Sequence, residues 1–310
     1  MNICCIERAQ DLSTPGWRSR LIDVARRARL RAWSSDAIAR SLRRPRVHLV
    51  VMHHVFEDER AAFEDFLDRV QPTHECLGVS EAFRRLGRVP PSKPILCLTF
   101  DDGFKHHVTV GKWLRARDVR ATFFPCIQGL DAPESSRAIL CRKGFLRPPI
   151  ELFGWDGAQS LVEMDHELGC HTRTHRALAD LSNHEIEDEI VSASAALQAR
   201  VGPVQTFAWP FGKWSHVSEA VAEALTRGGF RHVLSALPGC HDASPEWSRR
   251  ECAYRTPMEP MIGAERMVRL LAASSARCES LRWNPGAQSR AQLRRPSQSS
   301  TRGAAAEDTD

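Results

Sequence analysis

The 310-residue sequence contains no run of 18 apolar residues, and this absence argues against a membrane-spanning helix. It also lacks a Cys-x-x-Cys pair, although it has ten cysteines, so a thiolate zinc site is not expected. Ten cysteines are too sparse for a small disulfide-stapled domain, and we expect reduced, buried thiols in a cytoplasmic protein. The sequence has no internal repeat, and its first residues lack the charged and apolar regions of a signal peptide.

The composition favours a folded domain with basic ends. Hydrophobic residues make up 42% of the chain, which is enough for a core, and the length suits one α/β barrel or two smaller domains. The net charge is +5, but segment 17–48 alone carries +8, from ten arginines and two aspartates. Residues 282–310 add +2, which leaves −5 on the rest of the chain. A mildly acidic central part argues against nucleic acid as the substrate.

The arginine-rich segment 17–48 allows two interpretations. Its arginines lie mostly away from a helical stripe of Leu21, Val24 and three alanines, as in a basic amphipathic helix. Such a helix could contact an anionic membrane surface, or it could dock on the domain with its charges in solvent. We therefore expect a basic extension over residues 1–46, with peripheral membrane contact as one of its two possible roles.

Residues 47–281 alternate short β-branched runs with helical stretches, and residues 282–310 form a polar tail that we expect to be disordered. The predicted strands are 47–52, 95–100, 119–124, 205–209 and 232–236. The predicted helices are 60–70, 105–115, 156–164, 183–199 and 215–226. This alternation predicts one α/β domain of parallel strands, either a barrel or an open sheet.

Two adjacent carboxylates follow the apolar strand at 95–100, in the order Asp101-Asp102-Gly103. The carboxyl ends of parallel strands are where α/β proteins build their active sites. Neighbouring side chains diverge, so one aspartate could bind a metal while the other faces the substrate. An Asx turn with an aspartate helix cap explains the same residues without any chemistry.

Two histidines four residues apart, His171 and His175, form a second motif. If this stretch is a helical turn, both imidazoles lie on one face and can bind one metal ion. With Asp102 they would make a set of one carboxylate and two imidazoles, which leaves positions open for water and substrate, as catalysis requires. Two unrelated polar histidines are the alternative.

A third motif, Trp209-Pro210-Phe211-Gly212, ends the predicted strand at 205–209. Proline and glycine favour an unusual loop whose backbone N–H can point into a pocket, as an oxyanion donor must. A simple strand-terminating turn accounts for these residues equally well.

These three motifs, in this order, resemble the polysaccharide deacetylase family, which is carbohydrate esterase family four with its NodB homology domain. Segment 99–103 (TFDDG) is similar to the first family motif, segment 171–175 to the second and segment 208–212 to the third. The resemblance covers residues 47–255 and implies an α/β fold, a distorted (β/α) barrel of about seven strands in a single domain. It also implies a carbohydrate substrate and a divalent metal, usually zinc, with cobalt or nickel as the other options.

The resemblance implies a role for each motif residue. Asp102, His171 and His175 would bind the metal. Asp101 would be the general base, and the backbone N–H of Phe211 would hold the oxyanion. The implied reaction removes N-acetyl groups from an amino sugar in a polysaccharide, an oligosaccharide or a glycolipid precursor.

The sequence departs from the family pattern at two points. Ala208 stands where an arginine often orients the catalytic base. The general acid has no clear match: His232 and His241 flank a late Pro-Gly turn, and His54 could reach the pocket from the end of the first strand. All three are candidates for the acid, and His54 is the one that we include among the catalytic residues.

Other functions fit the same sequence. Barrels related to this family hydrolyse cyclic ureides and imides, so the substrate could be another C–N amide. The missing arginine and the unassigned acid also fit a catalytically impaired saccharide-binding protein. Without an export signal, we expect a cytoplasmic protein that acts at the inner membrane face, and the oligomeric state stays open.

Overall fold

The computed structural model describes residues 5–12, 34–86, 92–144, 150–242 and 252–275. The strands are β1 (Val47–Met52), β2 (Glu75–Cys76), β3 (Ile95–Asp102), β4 (Ala121–Pro125), β5 (Glu167–Leu168), β6 (Thr206–Ala208), β7 (His232–Leu234), β8 (Cys240–His241) and β9 (Thr256–Pro257). The helices are α1 (Ser35–Leu42), α2 (Arg60–Val70), α3 (Val79–Leu86), α4 (His106–Arg115), α5 (Ile127–Asp131), α6 (Glu134–Gly144), α7 (Trp155–Glu163), α8 (Asn183–Glu187), α9 (Ala193–Val201), α10 (Glu219–Arg227) and α11 (Ala264–Ser275). A π-helical turn, Asp188–Ser192, joins α8 to α9.

Most of the strand pairs are parallel. The larger sheet has the order β5-β4-β3-β1-β8, with β2 also beside β3 and β9 also beside β1. Strands β6 and β7 form a small parallel sheet. Isolated parallel bridges, Cys170 to Phe207 and Leu234 to Ala253, link the small sheet to neighbouring segments on both of its sides. The predicted α/β fold is therefore confirmed, with two sheets that are connected through single bridges.

Side chains of β3 alternate between two hydrophobic clusters, as the pleat of a strand requires. Leu96 and Leu98 belong to the larger cluster, which contains most of the buried helix residues. Cys97 belongs to a smaller cluster made by residues of both sheets. Asp101 lies on the same face of β3 as Cys97, so the strand delivers this carboxylate to the side shared by the two sheets.

The carboxylate of Glu167 on β5 is hydrogen-bonded to residues of three other elements. It accepts hydrogen bonds from the N–H and hydroxyl of Ser80 on α3 at 3.0 and 2.6 Å. It also accepts from the hydroxyls of Thr122 on β4 at 3.0 Å and Thr206 on β6 at 3.2 Å. Gly78 lies so close that a Cβ there would be 2.8 Å from a Glu167 oxygen. One side chain thus connects the small sheet to the larger one.

Helix α1 docks on the domain. The hydroxyl of Ser41 donates to the carbonyl oxygen of Ala272 in α11 at 2.8 Å, and both residues are buried. Arg40, Arg43 and Arg44 are exposed. The described part of the arginine-rich segment therefore contacts α11 and keeps these three charges in solvent.

All five predicted strands and all five predicted helices have counterparts, although some ends differ. The helix predicted over 183–199 contains the π-helical turn, and the first residues of the one predicted over 215–226 form a separate 3-10 turn, Trp214–His216. The two-residue strands and helices α1, α3, α5, α6 and α11 escaped prediction. The predicted basic helix before Ser34 and the predicted tail at 282–310 lie outside the described residues. Within the described ranges, no helix has both the length and the apolar character that crossing a bilayer demands.

Candidate active site

The carboxyl end of β3 separates the two adjacent aspartates. Asp102 has a φ of 79° and Gly103 a φ of 80°, both in the left-handed region. Glycine adopts this region freely, and aspartate tolerates it better than most residues do. A Cβ at Gly103 would also lie 2.9 Å from the Cβ of Pro125. The Asp-Asp-Gly sequence therefore fits a sharp turn that sends Asp101 and Asp102 to different partners.

Asp101 pairs with Arg255, which comes from the segment that leads into β9. The guanidinium donates from Nη1 to Oδ1 at 2.6 Å and from Nη2 to Oδ2 at 2.8 Å. Its Nε donates to the carbonyl oxygen of Ser235 at 2.7 Å, and Nη1 also reaches the hydroxyl of Thr99 at 3.1 Å. Asp101 and Arg255 are both buried. A bidentate pair of this kind fixes the orientation of the carboxylate as well as its charge.

The ion pair keeps Asp101 ionised inside the protein. Burial alone would raise the pKa of Asp101, but the charge of Arg255, with a smaller contribution from His171, lowers that pKa below its ordinary value. An ionised carboxylate held in one orientation can accept a proton from water. Arg255 thus supplies the guanidinium that we expected to be missing, because Ala208 stands in the usual position of the arginine.

Asp102, His171 and His175 lie together beside this pair. Oδ1 of Asp102 is 3.4 Å from Nε2 of His171 and 3.3 Å from Nε2 of His175. All three side chains are buried, and within the described residues they form the group whose donor atoms are close enough to share an ion. Donors of a tetrahedral zinc ion, each about 2.1 Å from the metal, lie about 3.4 Å from one another. The spacing and the donor types therefore fit a divalent metal.

The segment His171–His175 is a loop, so the expected helical turn is wrong. Thr172 has a φ of 69° and His175 a φ of 62°, values that a right-handed helix cannot contain. The hydroxyl of Thr172 accepts a hydrogen bond from the N–H of His175 at 2.9 Å, which closes the loop on itself. This loop still brings the two imidazole ring centroids to 5.0 Å from each other.

Contacts around the two imidazoles prepare them for metal binding. Nδ1 of His171 lies 2.6 Å from the carbonyl oxygen of Ala208. Because a carbonyl oxygen only accepts, Nδ1 carries the proton and Nε2 is the nitrogen that can bind a metal. Burial lowers the pKa of His175 to about 4, so this imidazole is neutral at neutral pH, as a metal ligand must be.

Phe211 lies in a tight turn after Pro210. Its φ is 62°, the φ of Gly212 is 59°, and a Cβ at Gly212 would be 2.2 Å from the Cβ of Ala236. The side chain of Phe211 is 47% exposed, and its ring centroid is 5.0 Å from that of His175. The third motif therefore places the ring of Phe211 against the imidazole of His175.

Comparison with known proteins agrees with this geometry. A family model described as polysaccharide deacetylase matches residues 88–229, which include Asp101, Asp102, both histidines and Phe211. This segment, which holds all three motifs, is similar to a polysaccharide deacetylase domain. Solved structures extend the likeness beyond the matched segment.

The chain has the fold of several bacterial proteins. IcaB from Ammonifex degensii superposes with a TM-score of 0.57 and 16% identity, covering 75% of this chain and 98% of that one. The deacetylase PplD from Streptococcus pyogenes, solved in complex with acetate, gives 0.56 and 16%, covering 73% and 98%. The deacetylase domain of BpsB from Bordetella bronchiseptica gives 0.56 and 17%, covering 69% and 96%. At these identities the likeness establishes the fold.

Strand β1 brings His54 to the same edge as Asp102, His171 and His175. Strands β1 and β3 pair in parallel with Met52 opposite Phe100, and His54 and Asp102 each lie two residues beyond that pair. Nδ1 of His54 is 2.9 Å from Oε2 of Glu59, and both side chains are buried. The sequence places His54 at a strand end but does not identify Glu59 as its partner.

The electrostatics of His54 favour its protonated form. Burial lowers the pKa of His54, but the hydrogen bond to Glu59 and the charge of Glu259 outweigh burial, so the pKa is raised above its ordinary value. Glu259 also accepts from the N–H of His53 at 3.1 Å and lies 2.9 Å from Nδ1 of the same residue. The two glutamates therefore hold the residues that follow β1.

The other two candidates for the general acid lie at the opposite edge of the sheets. His232 pairs with Thr206, so both stand at the first residues of their strands. His241 pairs with Val47, the first residue of β1, and its Nε2 accepts from the N–H of Tyr254 at 2.8 Å. Of the three histidines, His54 is the one that the fold brings to the edge with Asp101.

Arg255 is the main residue of the candidate site that the sequence motifs do not predict. It lies in the short, mostly apolar stretch 252–257, where a buried guanidinium needs a carboxylate partner. That stretch was the available signal, but nothing in its spacing identified Asp101 as the partner.

Proposed function

We propose that this protein is a metal-dependent hydrolase that removes N-acetyl groups from an N-acetylated amino sugar. The sugar would belong to a polysaccharide, an oligosaccharide or a glycolipid precursor. The bidentate pair between Asp101 and Arg255 carries the proposal, because it divides two adjacent carboxylates between two tasks. Asp101 is oriented as a base, while Asp102 faces His171 and His175.

Asp102, His171 and His175 are the proposed metal ligands. A divalent ion bound there would supply Lewis acidity, which polarises the acyl carbonyl and makes a water molecule more acidic. We favour zinc because imidazole and carboxylate donors suit it, with cobalt and nickel as alternatives.

Asp101 is the proposed general base. As water attacks the carbonyl carbon of the acetamide, a proton passes from the water to a carboxylate oxygen of Asp101. Arg255 keeps that carboxylate ionised and correctly oriented before the transfer. The backbone N–H of Phe211 donates to the oxygen that becomes negative when the carbon becomes tetrahedral.

His54 is the proposed general acid. Its raised pKa favours the protonated imidazole, and Glu59 accepts from Nδ1, which leaves Nε2 as the nitrogen that donates. The C–N bond then breaks, the amine nitrogen takes the proton from His54, and acetate leaves. The sugar retains a free amine.

We also propose that the protein works in the cytoplasm, at the inner face of the membrane. Cys76, Cys97, Cys126 and Cys170 are free thiols, as is usual in a reducing compartment. The exposed arginines Arg40, Arg43 and Arg44 suit the anionic lipids of that face. A precursor held at the membrane would then be the substrate.

Acetate release by the purified full-length protein tests the proposed activity. The substrates are a panel of N-acetylated saccharides together with cyclic ureides and imides. We expect acetate from one or more of the saccharides, loss of release with a chelator, and at least about a 100-fold lower rate in Asp101→Asn. An unchanged rate in Asp101→Asn would overturn the assignment of the base.

Two other results would replace the proposal with one of its alternatives. Hydrolysis confined to ureides or imides would indicate a different C–N amide as the substrate. Saccharide binding without release of acetate, in protein that contains its metal, would indicate an impaired saccharide-binding protein.

A further inference from the structure

The loop that carries the two metal-binding histidines has a strained backbone. Thr172 and His175 are non-glycine residues with φ values of 69° and 62°. Such conformations persist where surrounding contacts over-determine them, and they cluster at functional sites. The contacts that hold this loop therefore determine where the imidazole of His175 lies.

Glu189 provides the strongest of these contacts. Its Oε2 accepts from two successive backbone N–H groups, that of Arg173 at 3.0 Å and that of Thr174 at 2.8 Å. Its Oε1 accepts from the hydroxyl of Thr174. Glu189 is only 3% exposed, so one buried side chain holds the middle of the loop at three points. Hydrogen bonds from N–H groups to a carboxylate are stronger than those to a neutral acceptor.

The π-helical turn Asp188–Ser192 positions this carboxylate. A π turn contains more residues than an α turn, and this changes which side chains share a helix face; such turns are frequent at functional sites. Here two adjacent acidic residues both reach the loop. Asp188 is half exposed and pairs at 2.9 Å with the side chain of Arg173, whereas Glu189 is buried and binds the backbone.

We propose that Glu189 is a positioning residue for the metal centre: by holding the backbone of Arg173 and Thr174, it fixes His175 where it can share an ion with Asp102 and His171. This inference rests on the metal site of the proposed function. Glu189 touches neither the ion nor the substrate, and it acts through the loop. Without it the strained loop relaxes, and the cost appears as weaker metal binding.

The test measures metal affinity in the full-length protein, with zinc in competition with a chromophoric chelator. Residues outside the ligand set that orient ligands typically change metal affinity by about 10- to 100-fold, and we expect a loss in this range for Glu189→Ala. Glu189→Gln retains one acceptor oxygen and should recover part of the loss. The matched control is Asp188→Ala, which removes the neighbouring carboxylate and should stay within about twofold of wild type.

A spectroscopic measurement separates positioning from folding. Cobalt-substituted Glu189→Gln should show altered visible absorption bands, because the coordination geometry around the ion has changed, while Asp188→Ala keeps the wild-type bands. Urea unfolding of the metal-free variants identifies any variant that is not folded. If Glu189→Ala does not fold, Glu189→Gln decides alone. Folded Glu189 variants with wild-type zinc affinity and cobalt spectrum would overturn the inference.

A further variant distinguishes this failure from failure of the proposed function. If His171→Ala binds zinc as tightly as wild type, the proposed metal site is wrong, and the role of Glu189 falls with it. If His171→Ala loses zinc while the Glu189 variants do not, the metal site stands and only the positioning role is rejected.

Discussion

Arg255 and Asp101, which are 154 residues apart in sequence, form a buried bidentate ion pair. The guanidinium comes from the segment before β9, whereas the loop of the third motif contributes the carbonyl oxygen of Ala208 to His171 instead. The cationic partner of Asp101, the proposed base, therefore comes from another part of the chain. Asp101 therefore has a cationic partner although position 208 is an alanine.

Replacing Arg255 with methionine should destabilise the protein and change its pH profile. Removing one partner of a buried ion pair typically costs about 3–5 kcal/mol, which urea unfolding can measure. Without the guanidinium, burial raises the pKa of Asp101. Since the base must be ionised, the acidic limb of the kcat/KM profile for acetate release should move to higher pH.

Two further variants at this pair serve as controls. Arg255→Lys keeps the charge but not the bidentate geometry, so we expect the acidic limb to stay near wild type while kcat falls about tenfold. The double variant Asp101→Asn with Arg255→Met should be more stable than Arg255→Met alone, because it has no unpaired buried carboxylate. Equal stabilities would contradict this account of the pair.

Replacing Glu59 with glutamine should lower the pKa of His54. The general acid must be protonated, so activity falls as the pH rises through the pKa of His54. Loss of the Glu59 charge should therefore move the alkaline limb of kcat/KM to lower pH, by about one pH unit. Asp58→Asn is the matched control, since Asp58 binds the N–H of Ala9 and not His54. An alkaline limb at the same pH in both variants would argue against His54 as the acid.

Removing the metal should abolish acetate release, and added zinc should restore it. Elemental analysis of the purified protein should find about one divalent ion per chain. His175→Ala should lose the ion, whereas His184→Ala, at an exposed histidine of α8, should retain it. An equal metal content in both variants would place the ion elsewhere.

Buried neutral histidines should make the protein less stable at mildly acidic pH. Burial lowers the pKa of His48 to about 3, helped by the charges of His74, Arg46 and His241, and burial lowers that of His74 to about 4. Between pH 6.5 and about 4 the unfolded chain binds protons at these residues and the folded chain does not. Stability therefore falls as the pH falls, by about 1.4 kcal/mol per pH unit for each residue.

His48→Phe should remove one of these contributions, so its stability should depend less steeply on pH than that of wild type. Urea unfolding at pH 7 and pH 5 measures the difference. His184→Ala is again the control, because it removes an exposed histidine of α8. If the stability of His48→Phe depends on pH as steeply as that of wild type, His48 does not contribute to this dependence.

Exchange of Arg40, Arg43 and Arg44 for glutamine should weaken binding to vesicles that contain anionic lipids. Each basic residue near such a surface contributes about 1 kcal/mol, so the triple variant should lose more than tenfold in partitioning. A control variant replaces Arg84 and Arg85, which pair with Glu81 on α3. Sedimentation with vesicles measures both, and equal losses would reject a specific role for the segment at 17–48.

The local motifs could be predicted because each is decided within a few residues. Asp101 and Asp102 end a long apolar strand, and the Asp-Asp-Gly turn follows from the conformations that aspartate and glycine tolerate. The strand at 95–100 is unambiguous for the same reason. The conformation of the histidine loop could not be predicted in the same way. The two histidines are four residues apart, which fits a helix, but Thr172 and His175 adopt left-handed conformations that this spacing does not reveal.

Contacts between distant segments could not be predicted. Strand β9 has two residues, too few for any periodicity, so nothing in the sequence placed Arg255 opposite Asp101. Glu59 lies in an acidic run where any carboxylate could have been the partner of His54. These pairings depend on which strands are neighbours, and that is decided by the packing of the whole domain.

Arg255 and His54 lie on opposite sides of the segment 88–229 that the family model matches. That segment contains Asp102, His171 and His175, but it lacks β1, which pairs with β3, and β7, which pairs with β6. It also lacks both the partner of Asp101 and the proposed acid. The smallest piece able to catalyse the proposed reaction is therefore larger than the piece that sequence similarity defines.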